Sequence, residues 1–130
     1  MTSAAPTSTA FPNLTGHQFM SLTTFRKSGE PVATPVWFAQ AGDRLYVVSL
    51  STAYKLKRIA HNPAVTVAPC TMNGRVLGDS ASGTARILSE AEGKIADAAL
   101  QKKYGIQKIL FAFLWKLQRG TPVFIEILPA

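Results

Sequence analysis

From His17 onward, apolar and polar side chains alternate along the chain. Met20 and Leu22 fall on one face and Phe19, Ser21, Thr23 and Phe25 on the other, which is the period of a half-buried strand. Arg26-Lys27-Ser28-Gly29-Glu30-Pro31 predicts a turn. A second strand follows over Val32–Ala39, with Val32, Thr34, Val36 and Phe38 sharing a face. Pro35 has no N–H to give to a ladder, so its position predicts a local edge, a bulge or a ligand-facing gap. Ala41-Gly42-Asp43 makes a tight turn into a third strand, Arg44–Leu50. Two hairpins in succession make an antiparallel meander.

The period then changes. Ser51 or Thr52 can cap a short helix ending near His61, with Leu56, Ile59 and Ala60 as its buried stripe and Asn62-Pro63 as its stop. Val65 and Val67 mark a fourth strand. Asn73-Gly74 is a hairpin signal, and strand-like segments lie near Arg75–Leu77 and Ser82–Leu88. Ser89-Glu90-Ala91-Glu92 is a capping box. It predicts a helix to about Tyr104, with Gly105 as a left-handed stop. Ile106 to Arg119 reads as a further helical stretch. It is apolar on nearly every side from Ile109 to Trp115 and is expected to be buried, in part by another chain. Val123–Leu128 is a last strand, with Val123, Ile125 and Ile127 facing in.

Residues 1–16, rich in Thr, Ser, Ala and Pro, are expected to form a flexible N-terminal arm, and residues 17–130 a single domain. The expected count is six or seven short strands with two or three helices. Most connections are hairpins, which excludes a parallel doubly wound sheet. The fold expected is mainly β, a small antiparallel β-barrel with peripheral helices.

Composition narrows the classes. At 130 residues with 47% hydrophobic and 16% charged side chains, the chain is too apolar to be disordered and poorly charged for a fully exposed monomer. Part of its apolar surface is therefore expected to be covered by a second subunit. No apolar run approaches the roughly 18 residues that cross a bilayer. A single cysteine, Cys70, excludes an internal disulfide and C-x-x-C zinc spacing. His17 and His61 have no acidic neighbour at metal-ligand spacing, so no metal site is expected. The absence of charge before Arg26 does not fit a signal peptide, and a cytoplasmic, reduced setting is expected.

The net charge of +7 matters through its placement. Between Asp43 and Asp79 lie Arg44, Lys55, Lys57, Arg58 and Arg75 with no acid. Between Asp97 and Glu126 lie Lys102, Lys103, Lys108, Lys116 and Arg119, again with no acid. Two acid-free basic stretches predict an anionic partner. The segment from Ser49 to Arg58 is the most specific. A helix N-terminus exposes unpaired N–H groups and partial positive charge, so acids are expected there. This helix instead carries Lys55, Lys57 and Arg58, each unfavourable by ~0.3–1 kcal/mol against the dipole. A bound phosphate would offset that, held by the N–H groups, the hydroxyls of Ser49, Ser51 and Thr52, and the basic heads. The plainer reading is a solvated basic face.

Elsewhere the plain readings prevail. Cys70 reads as a small core residue and the histidines as surface residues. Trp37 and Trp115 read as core or interface anchors, and Thr23-Thr24 as ordinary strand residues. No nucleophile elbow, dinucleotide fingerprint or P-loop is present.

Three runs carry a resemblance. They are Met20-Ser21-Leu22-Thr23-Thr24-Phe25-Arg26-Lys27-Ser28-Gly29, Pro31-Val32-Ala33-Thr34-Pro35-Val36-Trp37-Phe38 and Gly42-Asp43-Arg44-Leu45-Tyr46-Val47. Lys55-Leu56-Lys57-Arg58-Ile59-Ala60-His61-Asn62-Pro63 follows at the matching distance, and then Val65-Thr66-Val67-Ala68-Pro69-Cys70 and Gly83-Thr84-Ala85-Arg86. Over roughly residues 18–128 the chain resembles the pyridoxamine 5'-phosphate oxidase-like, FMN-binding split β-barrel superfamily. Within that superfamily it is most similar to the small deazaflavin (coenzyme F-420) dependent oxidoreductases. The resemblance implies a homodimer with cofactor sites at the subunit interface, and a cofactor phosphate at the helix of Lys55 and Arg58. It also implies a ring system along Thr34, Pro35, Val36 and Trp37, beside Ser49, Leu50 and Ser51. Tyr54 departs from the small residue that relatives commonly place before the lysine.

The function expected is hydride transfer between reduced coenzyme F-420 and a small organic substrate, with the cofactor carrying the chemistry. No catalytic side chain is assigned. FMN in the same fold is the alternative, and a non-catalytic carrier of a flavin-like cofactor or haem is another. A nucleic-acid-binding barrel is a remote reading, because aromatics are not interleaved with the basic cluster.

Overall fold

A computed structural model of the chain describes residues 11–51, 53–104 and 122–130. Six strands form it: β1 Phe19–Phe25, β2 Pro31–Ala41, β3 Arg44–Leu50, β4 Ala64–Cys70, β5 Ala81–Ile87 and β6 Pro122–Pro129. Helix α1 spans Tyr54–His61 and α2 spans Glu90–Tyr104. The strands close into an antiparallel barrel in the order β1-β2-β3-β6-β5-β4, with β4 returning to β1. The expected Ile106–Arg119 helix lies outside the described residues. No helix among them is long and apolar enough to cross a membrane.

The alternating pattern builds the barrel interior. Met20 and Leu22 of β1, Val36 and Phe38 of β2, and Leu45 and Val47 of β3 all turn inward. Val65, Val67, Ala85, Ile125 and Ile127 meet them from the other strands. Val123, expected to face in beside Ile125 and Ile127, is only half-buried. The outward side chains of β2 and β3 receive α2. Ala39, Val48 and Leu100 pack there with Trp37 and Phe124, and Tyr46 packs with Leu88 and Ala96. The N-terminus of α2 has the expected box. The Glu92 N–H donates to Ser89 Oγ at 3.3 Å, and the Ser89 N–H donates to Glu92 Oε1 at 3.1 Å. These bonds, with Arg86 beside them, hold the Glu92 carboxyl below the usual carboxylate range. At the other end of α2, Lys103 Nζ donates to the carbonyls of His17 (2.8 Å) and Phe38 (2.9 Å), which fixes the helix across β1 and β2.

Several expectations are corrected. Residues 11–16 do not belong to a free arm. Pro12–Leu14 form a 3-10 turn, and Phe11 and Leu14 are each 1% exposed within the core. Arg75–Leu77 is not a strand. It follows the Asn73-Gly74 turn, where the Gly74 N–H donates to Thr71 O, and touches the sheet only through a Cys70–Val76 bridge. Ala60 is exposed, so the buried stripe of α1 is Ile59 with half-buried Leu56. The N-cap of α1 is Ala53, with no side-chain cap. The stretch after Asp43 is free of acid only along the chain. Across the sheet, Glu126 of β6 reaches Arg44 at 2.9 Å and Arg86 at 3.2 Å.

Candidate functional site

Two features of the barrel converge on the region that the sequence singles out. The first is a split between strands. The β2–β3 ladder pairs Phe38–Ala41 with Arg44–Val47 and ends there. Beyond it β2 runs on against β1 from Trp37 to Pro31, while β3 runs on against β6 to Leu50. Continued register would place Val36 opposite Ser49 and Thr34 opposite Ser51, but the ladder does not join them. Thr34–Trp37 and Ser49–Ser51 therefore stand on the two lips of a gap in the wall. Pro35 is exposed on one lip, where a missing N–H costs no ladder bond.

The second feature is a basic pocket. Helix α1 packs on β1 and β5, and its outer face meets the turn between β1 and β2. Arg26 and Lys27 from the turn, and Lys57, Arg58 and His61 from the helix, surround a pocket of about 470 Å³. Phe25 and Tyr54 give it apolar wall. No carboxylate among the described residues lines it. Arg26 is partly neutralised by Glu30 at 3.0 Å, an exposed pair of small energetic weight. Lys57 sits 5.6 Å from the centroid of the Tyr54 ring.

Arg58 is held differently from the paired arginines. Arg26, Arg44 and Arg86 each contact a carboxylate. Arg58 donates from Nε to Thr24 Oγ1 at 2.6 Å, and among the described residues no carboxylate pairs with it. A planar guanidinium held at Nε still presents two terminal nitrogens, the fork that suits phosphate. Because α1 is only eight residues long, Arg58 lies in its last turn. The dipole argument counted Arg58 as unfavourable, and the structure reverses that for this residue.

The other expected site residues divide. Lys55 does not line the pocket. It lies on the flank of α1 that carries Ile59 four residues on, half-buried, and burial followed by the nearby Arg58 charge lowers its pKa. The side chain of Val36 is in the barrel core, so only its backbone can face a ligand. Trp37 packs edge-on against Phe19, with ring centroids 6.1 Å apart, and onto the α2 cluster. That is an anchoring role. Ser49 is buried and Ser51 exposed. Thr52 and the side chain of Leu50 lie outside what is described. The sequence reading missed Thr24 and His61 as neighbours of the site. For Thr24 the signal was a hydroxyl continuing the inward series Met20, Leu22. A hydroxyl there requires a partner, and Arg58 provides it. No group of three or more metal-ligating side chains occurs among the described residues.

The residues present suit a phosphorylated, flat cofactor. The pocket offers cations of which, among the described residues, only Arg26 is paired with an acid, and the split offers backbone and a proline face.

Solved structures share this architecture. One is an F420 reductase (TM-score 0.60, 19% identity, 92% of each chain covered). Another is a FAD-binding protein from Mesorhizobium loti (0.60, 22%, 90% of this chain and 82% of that one). A third is the haem storage protein HutZ from Vibrio cholerae (0.64, 16%, 88% and 83%). At these identities the likeness is one of fold. None of the curated proteins matches the chain. The family model described as pyridoxamine 5'-phosphate oxidase matches residues 8–120. With the closed six-stranded barrel and the split beside α1, that match shows that the chain belongs to the pyridoxamine 5'-phosphate oxidase family.

Proposed function

We propose that the chain binds a phosphorylated flavin-like cofactor and works as an oxidoreductase on a small organic substrate. Coenzyme F-420 is the first choice of cofactor and FMN the second. The observation that carries this reading is the basic pocket of Lys57, Arg58, Arg26 and Lys27, which no carboxylate among the described residues lines. The neighbour named as an F420 reductase supports it. In this reading Arg58 and Lys57 hold the phosphate, with Lys55 contributing charge from the adjoining flank of α1. Thr34–Trp37 and Ser49–Ser51 flank the ring system and keep water from one face, and Thr52 is assigned to the same cofactor on the sequence alone. A bound cofactor would supply the hydride-transfer chemistry, and these residues would hold and orient it. The active form is a homodimer, in keeping with the exposed Met72, Val76 and Leu77 on the loop that passes Pro35. Sedimentation that returned a monomer would remove that part.

Lys55 gives a pH test. Its ammonium is held below the ordinary lysine value in the free protein, and a phosphate nearby raises it again. Binding therefore takes up a proton once the pH passes the lowered value. Affinity is flat below that point and falls as the pH climbs toward the ordinary lysine range. Lys55→Arg abolishes the slope, because a guanidinium keeps its charge. Lys55→Ala lowers affinity about tenfold near neutrality. A wild-type affinity that stays level up to pH ~10 takes Lys55 out of the site.

A second reading is a carrier of haem. His61 lines the same pocket, and an imidazole is a common iron ligand. Titration with FMN, oxidised F-420 and haem, followed by turnover of the reduced cofactor with an electron acceptor, decides between enzyme and carrier. Tight haem binding with no flavin binding overturns the oxidoreductase reading.

A further inference from the structure

We propose that Thr24 is a positioning residue for the phosphate site, acting through Arg58. This rests on the reading of the α1 pocket as the phosphate site. Thr24 ends the inward-facing series of β1 and is 1% exposed. An apolar residue would serve the core better at that position, since a buried hydroxyl without a partner is costly. The hydroxyl instead accepts from Arg58 Nε at 2.6 Å. This bond ties a helix side chain to the barrel wall, and the register places Thr24 opposite Val32 of β2.

The consequence is directional. A flexible arginine side chain has rotamer freedom to lose on binding. A guanidinium already fixed at Nε has surrendered part of it before the ligand arrives. Its remaining donors are the two terminal nitrogens, and Arg58 lines the pocket together with Lys57. The bond also sets the direction in which the guanidinium fork points. Thr24 contacts no ligand in this scheme and orients the group that does.

The test is a set of titrations on the full chain with FMN and oxidised F-420, and with their phosphate-free counterparts, riboflavin and the corresponding deazaflavin. The variants are Thr24→Val, Thr24→Ser, Arg58→Met and the Thr24→Val/Arg58→Met double variant. Thr24→Val is expected to weaken the phosphorylated ligand about tenfold, roughly the worth of one hydrogen bond to a charged group. It should leave the phosphate-free ligand unchanged, and Thr24→Ser should restore binding. In the Arg58→Met background, Thr24→Val should cost nothing more, because the two residues act as one unit. Equal losses for both kinds of ligand, or a full further loss in the Arg58→Met background, would make Thr24 a packing residue and overturn the proposal. Wild-type binding by Thr24→Val alongside weakened binding by Arg58→Met overturns the positioning role and leaves the phosphate site standing. If the wild type binds none of the four ligands, the phosphate site itself falls, and the positioning role with it. Thr24→Ala gives the same comparison should valine disturb folding.

Discussion

Replacing Arg58 with Met should weaken a phosphorylated flavin about 100-fold, or ~2–3 kcal/mol, and leave riboflavin binding unchanged. The expectation follows from how the fold treats this cation. Arg44 and Arg86 share Glu126, which is only 5% exposed, and Arg86 also holds Glu92. Those guanidiniums are neutralised and structural. Arg58 has a hydroxyl where they have carboxylates, so its charge is left for something outside the described protein. Removing one partner of a charge-assisted, bidentate contact to phosphate typically costs this much. Methionine keeps the aliphatic stem and its packing but takes the partner from the buried Thr24 hydroxyl, so the melting temperature should fall by a few degrees, about 3–8 °C. The phosphate-free comparison separates loss of a phosphate contact from a general disturbance. An Arg58→Met protein that binds FMN or F-420 as tightly as the wild type would show that the phosphate lies elsewhere.

The site was legible in the sequence to the extent that its residues are contiguous. Lys57 and Arg58 lie in one helix after one strand, and both line the pocket. The residues read correctly in the fold are those whose neighbours obey one period. Met20, Leu22, Val36, Phe38, Leu45 and Val47 alternate because half-buried strands must. What escaped depends on contacts across the chain. Thr24 looks like any strand threonine until Arg58, 34 residues away, reaches it. The stretch after Asp43 looks acid-free until Glu126 arrives from β6, 82 residues on from Arg44. Arg75–Leu77 has β-prone residues but no strand alongside beyond one bridge, and propensity without a partner does not make a ladder. The capping box at Ser89 was readable because both of its partners sit within four residues.

Phe11 is the sharpest case, and it yields the largest stability prediction. The residues around it are mostly polar, alanine or proline and show no period, so pattern reading gives it to a tail. The structure seats its ring in the barrel core, beside Gly83. A Cβ on Gly83 would stand 2.7 Å from Ile127 Cγ2, 2.9 Å from the Leu128 carbonyl oxygen and 3.5 Å from Phe11 Cζ. The missing side chain leaves room for Ile127 and the Leu128 carbonyl, and the Phe11 ring edge lies at ordinary contact distance. The backbone around the ring is bracketed as a strand neighbour would bracket it. The Phe11 N–H donates to Gln40 Oε1 at 2.9 Å, and Gln40 Nε2 donates back to Phe11 O at 3.3 Å. One side-chain amide thus satisfies both backbone groups of a residue that belongs to no strand. Phe11→Ala should therefore destabilise by about 3–4 kcal/mol, through lost burial and the cavity left among Ile127, Leu14 and their neighbours. For a domain of this size that corresponds to a fall of roughly 10–15 °C in Tm. Phe11→Leu, which keeps most of the volume, should cost less than half as much. Because Arg58 and Thr24 face a different part of the barrel, flavin affinity below the lowered Tm should be unchanged. A Phe11→Ala protein that melts within about 2 °C of the wild type would return residues 11–16 to the arm, and with them the claim that the core extends beyond the six strands.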